Sequence, residues 1–286
     1  MANLKEILNR ITSIGSTMQI TSAMKMVSAA KLKKAQDAIT QMRPYAEKLT
    51  ELLQSLSATL DASAGGSFAE EREVSKVLIV AITSNRGLCG GFNSSIIKGA
   101  TKHIADNYAG KEVEILAIGK KGADILTKNF NVIERNIEIF DDLTFDNVAD
   151  IAQKIMDLYT DGSYDKVEII YNQFKNAATQ IVQIEQFLPI QKVEGATTSN
   201  LDYIFEPSKA EIVLQLIPKS LKTQLYKAIR DSYASEHGAR MTAMHKATDN
   251  ANEMRNDLLL TYNKARQAAI TNEILEIVGG AEALKN

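Results

Sequence analysis

Helical periodicity occupies both ends of this chain, and what lies between follows another pattern. Leu4, Ile7, Ile11, Ile14 and Met18 recur at alternating steps of three and four, which puts them on one helical face. Asn3 followed by Glu6 is an N-cap pair. The stripe shifts phase near Ile20, runs through Met24 and Val27, and resumes at Ala35, Ile39, Met42, Leu49, Leu53 and Leu56. Pro44 removes one helical hydrogen bond and predicts a kink or break. At about 1.5 Å per residue such a helix reaches roughly 80 Å, too long to be buried by its own small domain.

The other end matches it. Ser208 with Glu211 forms a second capping pair, and Pro218 is expected to split off a short first helix. Beyond it Leu221, Leu225, Ile229, Met241, Met244, Ala251, Met254, Leu258, Tyr262, Ala265 and Ala269 keep a period near 3.5, and Gly279-Gly280 supplies a stop. Two such helices at opposite chain ends predict one antiparallel coiled coil closed by a middle domain. Three segments follow: a coiled-coil helix over 1–60, a central α/β domain over 74–207, and a coiled-coil helix over 208–286. Residues 57–73, with Ser63-Ala64-Gly65-Gly66-Ser67, read as a flexible joint.

In the middle, Val77–Ile82, Val113–Ile118 and Val167–Tyr171 are β-branched runs of the kind that form buried strands. Ser94–Tyr108, Lys120–Phe130 and Phe145–Tyr159 have helical spacing between them. The alternation predicts a Rossmann-like α/β domain with a mostly parallel sheet, and Ile181–Leu188 reads as an edge or antiparallel strand.

Composition excludes several functions. The 33 basic and 35 acidic side chains nearly cancel, so no general attraction to nucleic acid or anionic lipid is expected. The longest apolar run, Val77–Ile82, falls far short of the roughly 20 residues that span a bilayer. Cys89 stands alone, which excludes an internal disulfide or thiolate zinc site. The start of the chain shows no hydrophobic leader, so a reducing cytosol is expected. Methionine is concentrated in the terminal segments, at Met18, Met24, Met26, Met42, Met241, Met244 and Met254, and suits adaptable packing.

Chemistry-bearing patterns are sparse. Ser84-Asn85-Arg86-Gly87-Leu88-Cys89-Gly90-Gly91-Phe92 follows a strand and precedes a helix, where a phosphate loop would lie. It matches neither G-x-G-x-x-G nor G-x-x-x-x-G-K-[ST], so a structural turn is the simpler reading. Arg86 is placed to lower the Cys89 pKa, whereas a lone cysteine is more often a small buried apolar residue. Asp141-Asp142 reads as a cap, and Lys31-Leu32-Lys33-Lys34 as a solvated helix face. His103, His237 and His245 are scattered. No catalytic set, metal site or cofactor is expected.

The segment Ile270-Thr271-Asn272-Glu273-Ile274-Leu275-Glu276-Ile277-Val278-Gly279-Gly280-Ala281 has the form I-T-x-E-x-x-E-x-x-x-G-A and resembles the signature of the F-type ATP synthase gamma-subunit family. Ala23-Met24-Lys25-Met26-Val27, the Ser84–Asn93 loop, Ser235-Glu236, Arg240–Met244, Ala247–Asn250 and Asn263–Ala268 agree with it in order along the whole chain.

The resemblance implies a non-catalytic central rotor shaft, with two terminal helices inside a ring of three alpha and three beta subunits. The central domain would sit on the c-ring beside the epsilon subunit, peripheral to the cytoplasmic face of a bacterial plasma membrane. It implies beta-subunit contacts at Met24, Arg240, Arg266, Gln267, Thr271 and Glu273, with Arg240 otherwise a solvated helix charge. It implies c-ring contacts at Tyr203, Phe205 and Glu206. The alternatives are a generic coiled-coil scaffold, which would dimerise symmetrically, and a stand-alone α/β nucleotide-binding protein with a ligand near Gly87–Gly91.

Overall fold

The computed structural model describes residues 4–57, 66–70, 72–190 and 209–283. Their elements are α1 (Leu4–Ser57), β1 (Lys76–Ile82), α2 (Phe92–Asn107), β2 (Glu112–Ile118), α3 (Lys120–Leu126), β3 (Asn131–Asn136), α4 (Phe145–Thr160), β4 (Lys166–Phe174), β5 (Gln180–Leu188) and α5 (Lys209–Ala283). They group into two compact units. One holds the chain up to Val27 with the chain from Met241 onward, and the other holds Ser28–Arg240.

In the Ser28–Arg240 unit a five-stranded sheet runs in the order β3-β2-β1-β4-β5. The first four strands are parallel and β5 returns antiparallel along β4. Alternate residues of a strand face opposite sides, and both sides here are apolar. Val77, Ile79, Ala81, Ile115, Ala117 and Ile170 pack against α2 and α3 through Ile96, Ala100, Ile104, Ala123 and Leu126. Leu78, Val80, Ile82, Leu116, Ile118, Ile169 and Tyr171 face the other way, onto Val148, Ala152, Ile155, Met156 and Tyr159 of α4. Ile217, Leu221, Leu225, Ala228 and Ile229 of α5 share that second core. Polar fastenings add to the apolar seat, since Arg230 Nη2 donates to Leu143 O at 2.8 Å and Gln224 Nε2 to Gln186 O at 3.2 Å. The early half of α5 is therefore a core helix of the α/β unit, although it lies beyond residue 207, within the segment 208–286 read from sequence as coiled coil.

In the other unit α1 and α5 run antiparallel. Thr21 Oγ1 and Thr248 Oγ1 lie 2.8 Å apart. Ile14 with Met254 and Leu258, and Arg10 with Asp257, line one shared groove farther along. Residue numbers thus fall on one helix as they rise on the other.

Along α1 the buried or half-buried positions Ile7, Ile14, Thr21, Ser28, Ala35, Met42 and Leu49 are seven apart. The expected phase shift is absent. Ile20 and Val27 are 60% and 58% exposed, while Thr21 and Ser28 hold the seam. Thr21 fits there because its hydroxyl is satisfied, lying 3.1 Å from Met18 O as well as against Thr248.

Helix continuity also differs from expectation. Pro44 lies inside α1 on the solvent side, where the Thr40 carbonyl that it leaves without a donor is open to hydration. Pro218 lies inside α5, which runs unbroken past Gly279 and Gly280 to Ala283. A glycine in a helix costs about 1 kcal/mol, too little to end a helix that is already propagating. The expected capping pairs at Asn3 and Ser208 lie outside the described residues.

Helix α3 is shorter than its spacing suggested, and β3 was not anticipated, because Asn131–Asn136 alternates half-buried with exposed and holds only Val132 and Ile133 as apolar residues. The cap of α4 is Thr144, whose hydroxyl accepts from Asn147 N. Asp142 supports that cap through its carbonyl oxygen, which accepts from Asn147 Nδ2 at 2.8 Å.

Two regimes on one helix make a direct prediction. Leu225 is 0% exposed and Leu260 is 62% exposed. Leu225→Ala should lower the stability of the chain by about 2–5 kcal/mol, and Leu260→Ala should change it by less than about 0.5 kcal/mol. Urea denaturation of both variants checks this, and equal effects would refute the division.

Candidate functional site

A polar network in the Ser28–Arg240 unit joins the Ser84–Gly91 loop to α5. The loop leaves β1 at Thr83, whose hydroxyl accepts from Gly122 N at 2.9 Å. Gly119 comes so close to it that an added Cβ would lie 2.2 Å from Thr83 O, and its φ of +101° excludes other residues as well. Asn93 ties the two ends of the loop together. Its Oδ1 accepts from Ser84 N at 2.9 Å, and its Nδ2 donates to Cys89 Sγ at 3.2 Å. Asn85 anchors the flank, donating to Ile137 O at 2.7 Å and accepting from Lys120 N at 3.0 Å. At the turn itself Leu88 takes a positive φ of 61° and is 64% exposed. Cys89 and Phe92 turn inward onto Ala239 of α5.

The helix side of the joint is Glu236, His237 and Arg240, all buried. Arg240 Nη1 donates to Glu236 Oε1 at 2.6 Å, and Nη2 donates to Arg86 O at 3.1 Å and Gly87 O at 3.2 Å. Arg240 is therefore not a solvated helix charge, because its guanidinium is committed within the fold. Burial pushes the Glu236 carboxyl up, against the pull of Arg240. Nearby, Ser235 Oγ donates to Asn172 O at 2.9 Å. Gly238 lets the helix approach Ala177, whose Cα would lie 3.2 Å from an added Cβ.

This position has chemical meaning. In open α/β sheets ligands bind beyond the carboxyl ends of the strands where the connections change sides. Here that point lies between β1 and β4, since α2 and α3 cover one face and α4 the other. Ser235 of α5 reaches Asn172 near the end of β4, while Gly238 and Arg240 touch the chain just beyond β4 and β1. The loop also turns carbonyl oxygens toward a cation, the opposite polarity to a phosphate cradle built from N–H groups. The crevice is filled by the chain's own helix, which disfavours nucleotide binding there.

Cys89 is 2% exposed, and burial pushes its thiol up, outweighing any nearby positive charge. It is a packed apolar residue and not an activated thiolate. No group of three or more potential metal-ligating side chains occurs among the described residues. A second charged cluster closes the opposite end of the sheet. There Lys166 and His103 reach Glu168 at 2.9 and 2.6 Å, and Lys76 reaches Glu112 and Glu114 at 3.1 and 3.2 Å. These groups satisfy one another, as expected of a structural network.

The remaining expected site residues separate by place. Arg266, Gln267, Thr271 and Glu273 lie on the last part of α5, where every residue from Arg266 to Ala283 is exposed. At about 100° per residue they fall within roughly 160° of arc, so they share one broad face. Met24 is half-buried on α1, in the same compact unit. The Thr21–Thr248 register puts it roughly 30–40 Å along the coil from that face. Arg240 belongs to the other unit. Tyr203, Phe205 and Glu206 lie outside the described residues. Glu236 was given no role from sequence. Its signal is an i,i+4 acid–base pair set among Ala234, Ser235, Gly238 and Ala239, where a solvated pair would not be expected.

His237 offers a pH test. Its ring packs edge-on against Tyr233 with centroids 4.5 Å apart, and burial, with Arg240 and Lys31 nearby, pushes its pKa down to about 3. The unfolded chain takes up a proton near pH 6.5 that the folded chain refuses. The stability from a neutral His237 is therefore complete above about pH 7 and lost as pH falls, by roughly 1 kcal/mol between pH 7.5 and 5.5. Glu236 contributes with the opposite sign, so the comparison is made against His237→Phe. Urea midpoints at the two pH values should show a smaller acid loss in that variant, and an unchanged loss would contradict the assignment.

Comparison with known proteins places this architecture. A sequence model of the family described as ATP synthase matches residues 3–284. Proteins named ATP synthase gamma chain from Flavobacterium psychrophilum and Flavobacterium johnsoniae are 74% and 72% identical over 286 and 285 residues, covering 100% and 99% of both chains. A chain of the Tetrahymena thermophila mitochondrial ATP synthase central stalk and c-ring structure is 28% identical with a TM-score of 0.62, covering 80% of this chain and 99% of its own. A chain of the Euglena gracilis mitochondrial ATP synthase structure shares the fold at 21% identity and a TM-score of 0.71, covering 98% of this chain and 94% of its own. With sequence likeness running end to end and the fold shared, this chain belongs to the ATP synthase gamma-chain family.

Proposed function

We propose that this chain is the central rotor shaft of an F-type ATP synthase, turning with a c-ring and imposing conformations on three catalytic beta subunits. The observation that carries the proposal is the bare end of α5. Carried outward from Thr21–Thr248, the antiparallel register brings the start of α1 opposite Ala265. Beyond that point α5 has no α1 to pack on for roughly 27 Å. Ile270, Ile274, Leu275, Ile277 and Val278 are nonetheless 48–66% exposed there. A run of large apolar side chains left open on a folded protein calls for a surrounding partner. An apolar sleeve formed by the alpha and beta subunits supplies one.

The chemistry follows from asymmetry. One shaft inside a ring of three alike partners meets each in a different way, and a partner's conformation shifts only by its differential contacts. Moving a two-state partner from one extreme to the other takes about 5.5 kcal/mol of differential binding, which a few charge-assisted hydrogen bonds supply. Arg266 and Gln267 are exposed donors suited to that role, with Thr271 and Glu273 on the same face and Met24 farther down the coil. ATP chemistry belongs to the beta subunits, and this chain is non-catalytic. The alpha subunits complete the ring, and the epsilon subunit and c-ring bind the α/β unit, with Tyr203, Phe205 and Glu206 toward the c-ring. No described helix is long and apolar enough to cross a membrane. The chain is peripheral, on the cytoplasmic face of the bacterial plasma membrane, and reaches the bilayer through its partners.

Native mass spectrometry of this chain with its alpha and beta partners should give one copy to three of each, and a symmetric homodimer that ignores them would refute the shaft. In the assembled enzyme Arg266→Ala should slow steady-state ATP synthesis by about tenfold, the loss expected of one charge-assisted hydrogen bond. Synthesis at the wild-type rate would remove Arg266 from the contact.

A further inference from the structure

We propose that Glu236 and Arg240 are positioning residues for energy coupling: their clasp fixes the Ser84–Gly91 loop to α5, so that loop and helix move as one body. The inference rests on the rotor proposal and extends it to residues acting through another part of the same chain. Four observations support it. Arg240 bridges an acid one turn back on its own helix and two loop carbonyls more than 150 residues away in sequence. Both charged groups are buried, so neither is free to serve a solvent-facing contact. The loop is stiffened within itself by Asn93 and held on the sheet side by Asn85, and the clasp adds α5 as its second anchor. Its turn carries Leu88, a non-glycine residue at positive φ that is nevertheless mostly exposed. Such a conformation persists only where the surroundings enforce it, and the clasp is the adjoining enforcement.

A buried guanidinium is well suited to this. It is planar, always charged, and holds a carboxylate and two carbonyls in one fixed fork, where a lysine offers only a point charge with three rotatable donors. A force on the loop is then transmitted to α5 without first being absorbed by loop bending. Arg240 thereby serves coupling from inside the fold, and Glu236 serves it by holding the guanidinium in place.

The test uses the complete membrane-bound enzyme carrying Glu236→Gln or Arg240→Gln. Two quantities are read together: the maleimide labelling rate of Cys89, the only thiol of this chain, and ions pumped per ATP hydrolysed in inverted vesicles. Labelling should rise about tenfold while pumping per ATP falls at least twofold, and Arg240→Lys should fall between wild type and Arg240→Gln in both. Labelling that rises with pumping per ATP unchanged would overturn the proposal. So would pumping that falls with Cys89 still protected, since Arg240 would then act directly on a neighbour. Should the variants fail to fold, hydrogen exchange of the wild-type enzyme decides. Amides of Arg86–Gly91 should share the protection of Glu236–Arg240, and orders-of-magnitude faster loop exchange would overturn the clasp. Failure of the rotor proposal is a separate outcome, seen as absence of the alpha and beta subunits from the complex.

Discussion

The apolar seat of α5 on the sheet is the contact on which the rest of the α/β unit depends. Ile217, Leu221, Leu225, Ala228 and Ile229 close a core face that α4 alone would leave half covered. With that stripe seated, Ser235, Gly238, Ala239 and Arg240 necessarily arrive over the carboxyl ends of β1 and β4. A fold that commonly binds small ligands at that place has its own helix there instead. Burying an arginine in such a setting is tolerable only with its charge and donors satisfied, and Glu236 with the two loop carbonyls meets that demand.

Much of this was legible in sequence. The β-branched runs located β1, β2 and β4, the alternation in Ile181–Leu188 marked the antiparallel edge, and the terminal stripes gave both long helices. Hydrophobic periodicity misled where shape mattered more than apolarity. At Thr21 and Ser28 small polar side chains hold seam positions, and the neighbouring Ile20 and Val27 drew the expected stripe to the wrong side. Pro44, Pro218 and the glycine pair looked like breaks because local propensity was weighed without the cooperativity of very long helices. β3 was missed because an edge strand with one half-buried face has little apolar signal.

The site was less legible than the fold. The tip residues Arg266, Gln267, Thr271 and Glu273 share a face, as helical spacing alone would place them. The surroundings of Arg240 could not be read that way, because its loop partners lie more than 150 residues off in sequence. Its partner Glu236 sat in a run of small residues whose meaning is close approach of the helix to the β4–β5 hairpin. Tertiary packing decided both.

The central claim is that this chain turns as the shaft of a rotary enzyme. Its most direct test is single-molecule observation of a bead fixed to an engineered cysteine at the exposed Lys111, in a complex whose beta subunits are immobilised and supplied with ATP. Steady rotation in one direction, pausing at thirds of a turn, is the predicted result. A bead that stays still while the same complexes hydrolyse ATP at the full rate would contradict the account.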